Sequence, residues 1–256
     1  MMPPPAPPPP RRPRASELLV LIPLLLIVVG AWGFVELAEA VREGSTKRFD
    51  DWAVRALRRP DDSSRTLGPA WLEDFGRDIT ALGGFAVLTL VIGIVAGFLW
   101  LQKRHHMVGL LLAASGGGLV LSSLLKRVMQ RPRPELVPHL SAVFTTSFPS
   151  GHSMLSAVVY LSLGTLLARS VADRATKIYC IVVAAFVPFA VGLSRIYMGV
   201  HYPTDVLAGW TAGVVWAMAC WTVSAYLQRR GDVEMPPVSS PGIPGEGTDL
   251  TAPGTP

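Results

Sequence analysis

Charge is scarce in this sequence. Only 16% of its 256 residues are Asp, Glu, Lys or Arg, against about 25% in an ordinary soluble domain. Half are hydrophobic, and the mean hydropathy is +0.40. That balance excludes a typical water-soluble domain and suits a polytopic membrane protein. Cysteine is scarcer still. Cys180 and Cys220 both fall inside apolar runs, with no Cys-x-x-Cys or Cys/His cluster, so neither a disulfide framework nor a zinc site is indicated. Both read as small buried apolar residues. The glycines of Ser115-Gly116-Gly117-Gly118 lack the Gly-Lys-Ser/Thr ending of a phosphate-binding loop. They read instead as a small-residue surface that lets helices approach closely.

What is present in quantity is long apolar sequence. A membrane-crossing helix needs roughly 20 mainly apolar residues to cover about 30 Å of hydrocarbon. Six runs approach that length: Leu18–Ala38, Thr80–Leu101, Met107–Leu125, His152–Ala168, Ile178–Leu193 and Val206–Leu227. The expected fold is all-α, a helical membrane bundle of about six spans forming one domain over residues 17–228. Lipid leaves backbone polar groups no other way to be satisfied than in helices or closed barrels. The flanks, 1–16 and 229–256, are rich in proline or in Pro, Gly and Ser, and read as disordered tails. The Ala38-Glu39-Ala40 site after an arginine-flanked apolar run imitates a signal peptide, but the run exceeds the usual length of about 7–15 residues, which favours an uncleaved helix.

Short-loop charges set an orientation. Arg11, Arg12 and Arg14 precede the first run, Lys103 and Arg104 follow the second, Arg169, Arg174 and Lys177 follow the fourth, and Arg229 and Arg230 follow the sixth. These favour a cytoplasmic N-terminus. The long Glu39–Ile79 loop carries eight basic residues and at least as many acids; long loops weigh less in this rule. Within that loop Trp52, Ala53, Ala56 and Leu57 fit either one apolar face of a short interfacial helix or ordinary loop packing.

With six spans and the N-terminus inside, three polar clusters fall at one external surface. They are Lys126–Pro134 after the third span, Phe148–Ser153 before the fourth, and Ser194–Asp205 between the fifth and sixth. Lys126, Arg133 and Arg195 supply fixed positive charge, arginine as a planar fork suited to phosphate oxygens. Ser150 is a good N-cap, and the free N–H groups behind it, from Gly151 onward, favour an anion. His152 and His201 suit proton transfer or nucleophilic attack near neutral pH. Asp205, just inside a helix that Pro203 starts, can reach back to fix the tautomer of His201. Arg127 and Arg131 read as interfacial anchors, and His105, His106 and His139 as solvated loop residues.

Lys126-x6-Arg133-Pro134, Pro149-Ser150-Gly151-His152 and Ser194-Arg195-x5-His201-x3-Asp205 together resemble the signature of the type 2 phosphatidic acid phosphatase superfamily, the lipid phosphate phosphatases. Gly76–Gly84 also looks like family sequence. The resemblance implies His201 as the nucleophile that becomes phosphohistidine, Asp205 as its orienting carboxylate and His152 as the acid that protonates the leaving oxygen. It implies phosphoryl oxygens held by Lys126, Arg133 and Arg195 with help from Ser150 and the Gly151 N–H. No cofactor and no metal are implied, and the sequence offers no carboxylate cluster suited to magnesium. The expected partners are the bilayer and a lipid phosphate, not nucleic acid. The substrates implied are undecaprenyl diphosphate, phosphatidic acid, phosphatidylglycerol phosphate or diacylglycerol pyrophosphate, with an isoprenoid diphosphate or phosphatidate slightly preferred. The expected location is the cell membrane, with the active site on the extracytoplasmic face. The same residues would serve a lipid-linked phosphotransferase. They would also serve a protein that only binds or translocates lipid phosphates, although binding alone requires no nucleophile. The related vanadium-dependent haloperoxidases share the anion site but are soluble, and six membrane runs argue against that use.

Overall fold

Each apolar run except the second becomes one helix, and the helices end or begin within the polar motifs. The computed structural model describes residues 15–135, 137–140 and 145–229. The tails expected at 1–16 and 229–256 lie outside this range, save for residues 15, 16 and 229. The helices are α1 (Ala15–Arg42), α2 (Lys47–Ala56), α3 (Ala70–Ala81), α4 (Phe85–Leu101), α5 (His105–Met129), α6 (Gly151–Ser170), α7 (Arg174–Tyr197) and α8 (Pro203–Arg229). Five are long and apolar enough to cross a membrane, and the α3–α4 pair makes a sixth span if counted together. The fold is a polytopic helical membrane bundle.

One expectation needs correction. The second run is not continuous from Thr80. Thr80 belongs to α3, and α4 starts at Phe85, bent from α3 by 46°. Adjacent glycines at 83 and 84 weaken the helix there, and Thr80 Oγ1 lies 2.6 Å from Ser194 Oγ of α7. This contact ties α3 to α7. The 39–79 loop contains a short helix, α2, with Trp52 and Ala56 of the expected apolar face exposed. The buried positions are Asp50 and Val54, because Asp50 has polar partners beneath it. A small antiparallel pair, β1 (Arg58–Arg59) with β2 (Asp62–Thr66), lies beside α2 at this end of the bundle.

Close helix approach follows the small residues. At Gly117 an added Cβ would lie 2.4 Å from the Trp216 ring, while Trp216 Nε1 donates to the Ala114 carbonyl at 2.8 Å. The glycine run is therefore the seat of an α8 indole. Cys180 and Cys220 are free and half-buried, less enclosed than the sequence suggested. The C-terminal end of α1 packs at the same end of the bundle. Val41, Phe148 and Ala208 are buried together there, with Phe34, Leu37, Ala38 and Met129 against them. Ala38, of the Ala-Glu-Ala site, is thus part of the packed bundle.

Candidate active site

All three polar clusters meet at the end of the bundle where α5 finishes and α6 and α8 begin. Gly151 and Lys126 come from different clusters, yet a Cβ on Gly151 would sit 3.5 Å from Lys126 Cε. The lysine stem therefore runs past the first turn of α6. Its ammonium donates to the Thr146 carbonyl at 2.6 Å. Ser150 caps α6: its hydroxyl accepts from Ser153 N at 3.4 Å and from Ser153 Oγ at 2.9 Å. Ser150 N donates to the Asp205 carbonyl at 2.9 Å, linking the second cluster to the third. Gly209 makes that approach possible, since a Cβ there would come within 2.6 Å of the Ser150 carbonyl oxygen.

His201 is buried between the clusters, 1% exposed. Arg133 Nη1 lies 3.1 Å from its Nε2. Arginine can only donate, so Nε2 carries the lone pair and Nδ1 the proton. That proton faces Asp205 Oδ2, 3.4 Å away, and Ser147 Oγ at the same distance. The separation is long for a hydrogen bond, as catalytic contacts often are before substrate binds. Burial lowers the His201 pKa, and Arg133 and Arg195 push the same way. Asp205 opposes them, and the balance falls at about 3. The imidazole is therefore neutral at physiological pH, with its lone-pair nitrogen on the side of the cations.

Arg133 is held at Nε by the Thr145 carbonyl and at Nη1 by the Val200 carbonyl, both at 2.7 Å. Its pKa is lowered by burial, against the pull of Asp205. Arg195 is enclosed further, 2% exposed, and its Nε and Nη1 have no hydrogen-bond partner among the described residues. A buried guanidinium with open donors costs several kcal/mol unless an anion satisfies it. His152, in the first turn of α6, lies within electrostatic reach of Arg195, His201, Arg133 and Lys126. The α3–α4 break backs it, since a Cβ on Gly83 would meet the His152 carbonyl at 3.2 Å. That contact gives the Gly76–Gly84 stretch its place at the site.

Sequence reasoning misplaced one residue and missed three. Arg131 is no interfacial anchor. Its Nη2 donates to Asp50 at 2.7 Å and its Nη1 to Asp205 at 2.6 Å, and its guanidinium lies over the Tyr202 ring at 4.3 Å. Burial works against its charge, but Asp205 and Asp50 outweigh that and raise its pKa. The buried partners it finds are the reason it leaves the interface. Ser147, beside the second motif, donates its hydroxyl to Asp205. Asp50, in a loop with no motif, is fully buried and takes Thr204 Oγ1 at 2.6 Å. Arg58, at the start of β1, is also buried, and its Nη1 donates to the Tyr197 carbonyl at 2.9 Å. Arg127, His105 and His106 are exposed, but the two histidines open α5 instead of lying in a loop, and His105 meets the Trp100 ring edge-on at 4.4 Å; His139, though exposed, folds back with Nε2 2.6 Å from the Pro134 carbonyl.

Comparison with known proteins adds a second line of support. The PAP2 superfamily model matches residues 106–229. The chain is 32% identical over 189 residues to phosphatidylglycerophosphatase B of Bacillus subtilis, covering 71% of this chain and 86% of the relative. It is 30% identical over 125 residues to an undecaprenyl-diphosphatase of Sulfolobus acidocaldarius, covering 46% and 56%. The crystal structure of a transmembrane PAP2-type phosphatidylglycerolphosphate phosphatase from Bacillus subtilis superposes with a TM-score of 0.71 at 29% identity, covering 79% of this chain and 98% of that one.

Proposed function

The chain belongs to the PAP2 superfamily of membrane phosphatases, and from that premise we propose that it removes a phosphoryl group from a lipid phosphate or diphosphate through a phosphohistidine at His201. The observation that carries this reading is the pairing of a neutral, buried imidazole with a nearby buried guanidinium, Arg195, whose donors are unmet among the described residues. His201 Nε2 has its lone pair beside Arg133, and Arg195 offers two unpartnered buried nitrogens.

In the reaction, Nε2 attacks phosphorus in line with the departing oxygen. The P–O bond breaks as the P–N bond forms, and His152 gives its proton to the leaving alcohol or phosphate. Asp205 stabilises the imidazolium phosphate through Nδ1–H. Charge on the equatorial oxygens is met by Lys126, Arg133, Arg195 and the N–H groups at the start of α6, the role that metal ions fill in other phosphoryl transfers. Water then loses a proton to His152 and displaces the histidine, releasing inorganic phosphate. A site at the end of the spans leaves the lipid tail in the bilayer while its headgroup meets the cations. The short-loop charges support an extracytoplasmic site.

The relatives include enzymes named for phosphatidylglycerophosphate and for undecaprenyl diphosphate, so a panel of both, with phosphatidic acid, tests the substrate class. The purified protein releases phosphate from at least one of them, and His201→Ala releases none while remaining folded. Turnover near wild type in that variant overturns the mechanism.

A further inference from the structure

Resting on the phosphatase reading above, we infer that Arg131 and Asp50 form a positioning relay for the reaction, in which α2, outside the bundle, fixes the carboxylate that orients the nucleophile. Asp205 is fully buried. Its Oδ2 receives Ser147 Oγ, and Tyr202 N at 2.9 Å, and faces His201 Nδ1. Its other oxygen, Oδ1, receives Arg131 Nη1 at 2.6 Å. Arg131 in turn is pinned on its remaining sides. Nη2 goes to Asp50 Oδ2 at 2.7 Å, Nη1 also reaches Thr204 Oγ1 at 2.8 Å, and the plane lies over Tyr202. Asp50 closes the circuit by accepting from Thr204 N at 3.2 Å and Thr204 Oγ1 at 2.6 Å. Neither residue touches the reacting atoms, so both act through Asp205.

The charge arrangement explains why two carboxylates flank one guanidinium. Arg131 paired with Asp205 alone would neutralise it and weaken its hold on the imidazole proton. Asp50 takes up half of the arginine fork and leaves Asp205 a usable negative charge. A simple structural salt bridge needs only one carboxylate. The other charged groups that act on Asp205 are His201, Lys126 and Arg133. Those acting on His201 are Arg133, Arg195 and His152. Each is present in every variant below, so displacements report the relay.

The test compares Asp50→Asn, Arg131→Met, Arg131→Lys and the Asp50→Asn/Arg131→Met pair with wild type. Asp50→Asn keeps the shape and removes the charge. It lowers kcat about 10- to 100-fold, the usual scale for groups that orient a reactive residue, with KM little changed. It also moves the acid limb of kcat/KM to lower pH, because Arg131 then withdraws more charge from Asp205. Arg131→Met lowers kcat too, but shifts the acid limb upward, since Asp205 is left to the imidazole. Arg131→Lys recovers part of kcat. The double variant loses less than the product of the two single losses. An independent reading comes from ¹⁵N shifts of labelled His201, in which the Nδ1–H tautomer weakens in Asp50→Asn. The relay is overturned if the variants lower thermal stability while leaving the pH profile and the His201 tautomer as in wild type, or if both acid limbs move the same way. Failure of wild type itself to release phosphate would refute the functional reading instead, and the tautomer measurement still judges the relay.

Discussion

Replacing Arg195 by methionine separates function from stability more sharply than any other single change. Its guanidinium is buried with two nitrogens unpartnered. An unmet buried donor costs about 1–3 kcal/mol, and apolar replacement of buried charge is often stabilising. Without an anion, Arg195→Met should therefore gain about 2 kcal/mol from these nitrogens, discounting lost packing. For a bundle of this size that is a rise of about 4–8 °C in Tm, at about 2–4 °C per kcal/mol. Catalysis moves the other way. Removing one charge-stabilising donor from a phosphoryl site costs about 10²–10³ in kcat/KM. Thermal unfolding in detergent, with and without orthovanadate as a phosphate mimic, reads both effects. Wild type is stabilised by vanadate; Arg195→Met starts higher and gains little. A variant that melts below wild type, yet is still raised by vanadate to the same extent, would show that Arg195 is a structural residue and not a ligand of the anion.

Other expectations follow from the same geometry. With the His201 pKa held at about 3, the nucleophile stays unprotonated down to acidic pH, so it sets no loss of kcat/KM near 6.5. The acid limb therefore lies well below that value; an acid limb near 6.5 in wild type would contradict this. Activity survives EDTA, because the cations are side chains, and a loss restored by one divalent metal would show otherwise. Reporter fusions in the α2–β2 region and in the Val171–Asp173 turn should appear on opposite sides of the membrane, the former outside. Intact mass of the membrane-extracted protein should include α1, whose Ala38 packs near Phe148; a mass beginning after Ala40 would show processing there.

The candidate site is legible because its chemistry is written in spaced motifs at helix ends. Counting spans brings Lys126, His152 and His201 to one surface, and the structure puts Lys126 against Gly151 and Arg133 against His201. What escaped was the support beneath it. Arg131 sits in the same basic stretch as Lys126, and nothing in hydropathy distinguishes a snorkelling arginine from one paired to buried carboxylates. Asp50 lies in a charged loop, where a carboxylate is ordinarily solvated. Its burial depends on contacts with Thr204 and Arg131, which are 154 and 81 residues away in the chain. An amphipathic reading of α2 by hydrophobicity picked Trp52, while the face that packs is set by a polar partner. The α3–α4 break could be suspected from Gly83-Gly84, but the Thr80–Ser194 contact that directs it is tertiary. Local pattern reports elements and motifs; buried polar pairing belongs to the fold.

The account rests on His201 becoming covalently phosphorylated. Rapid quenching of the enzyme with ³²P-labelled lipid phosphate, under alkaline conditions that preserve phosphohistidine, should give label on the peptide carrying His201. Label that stays on lipid and free phosphate throughout turnover, or that maps to another residue, would contradict it.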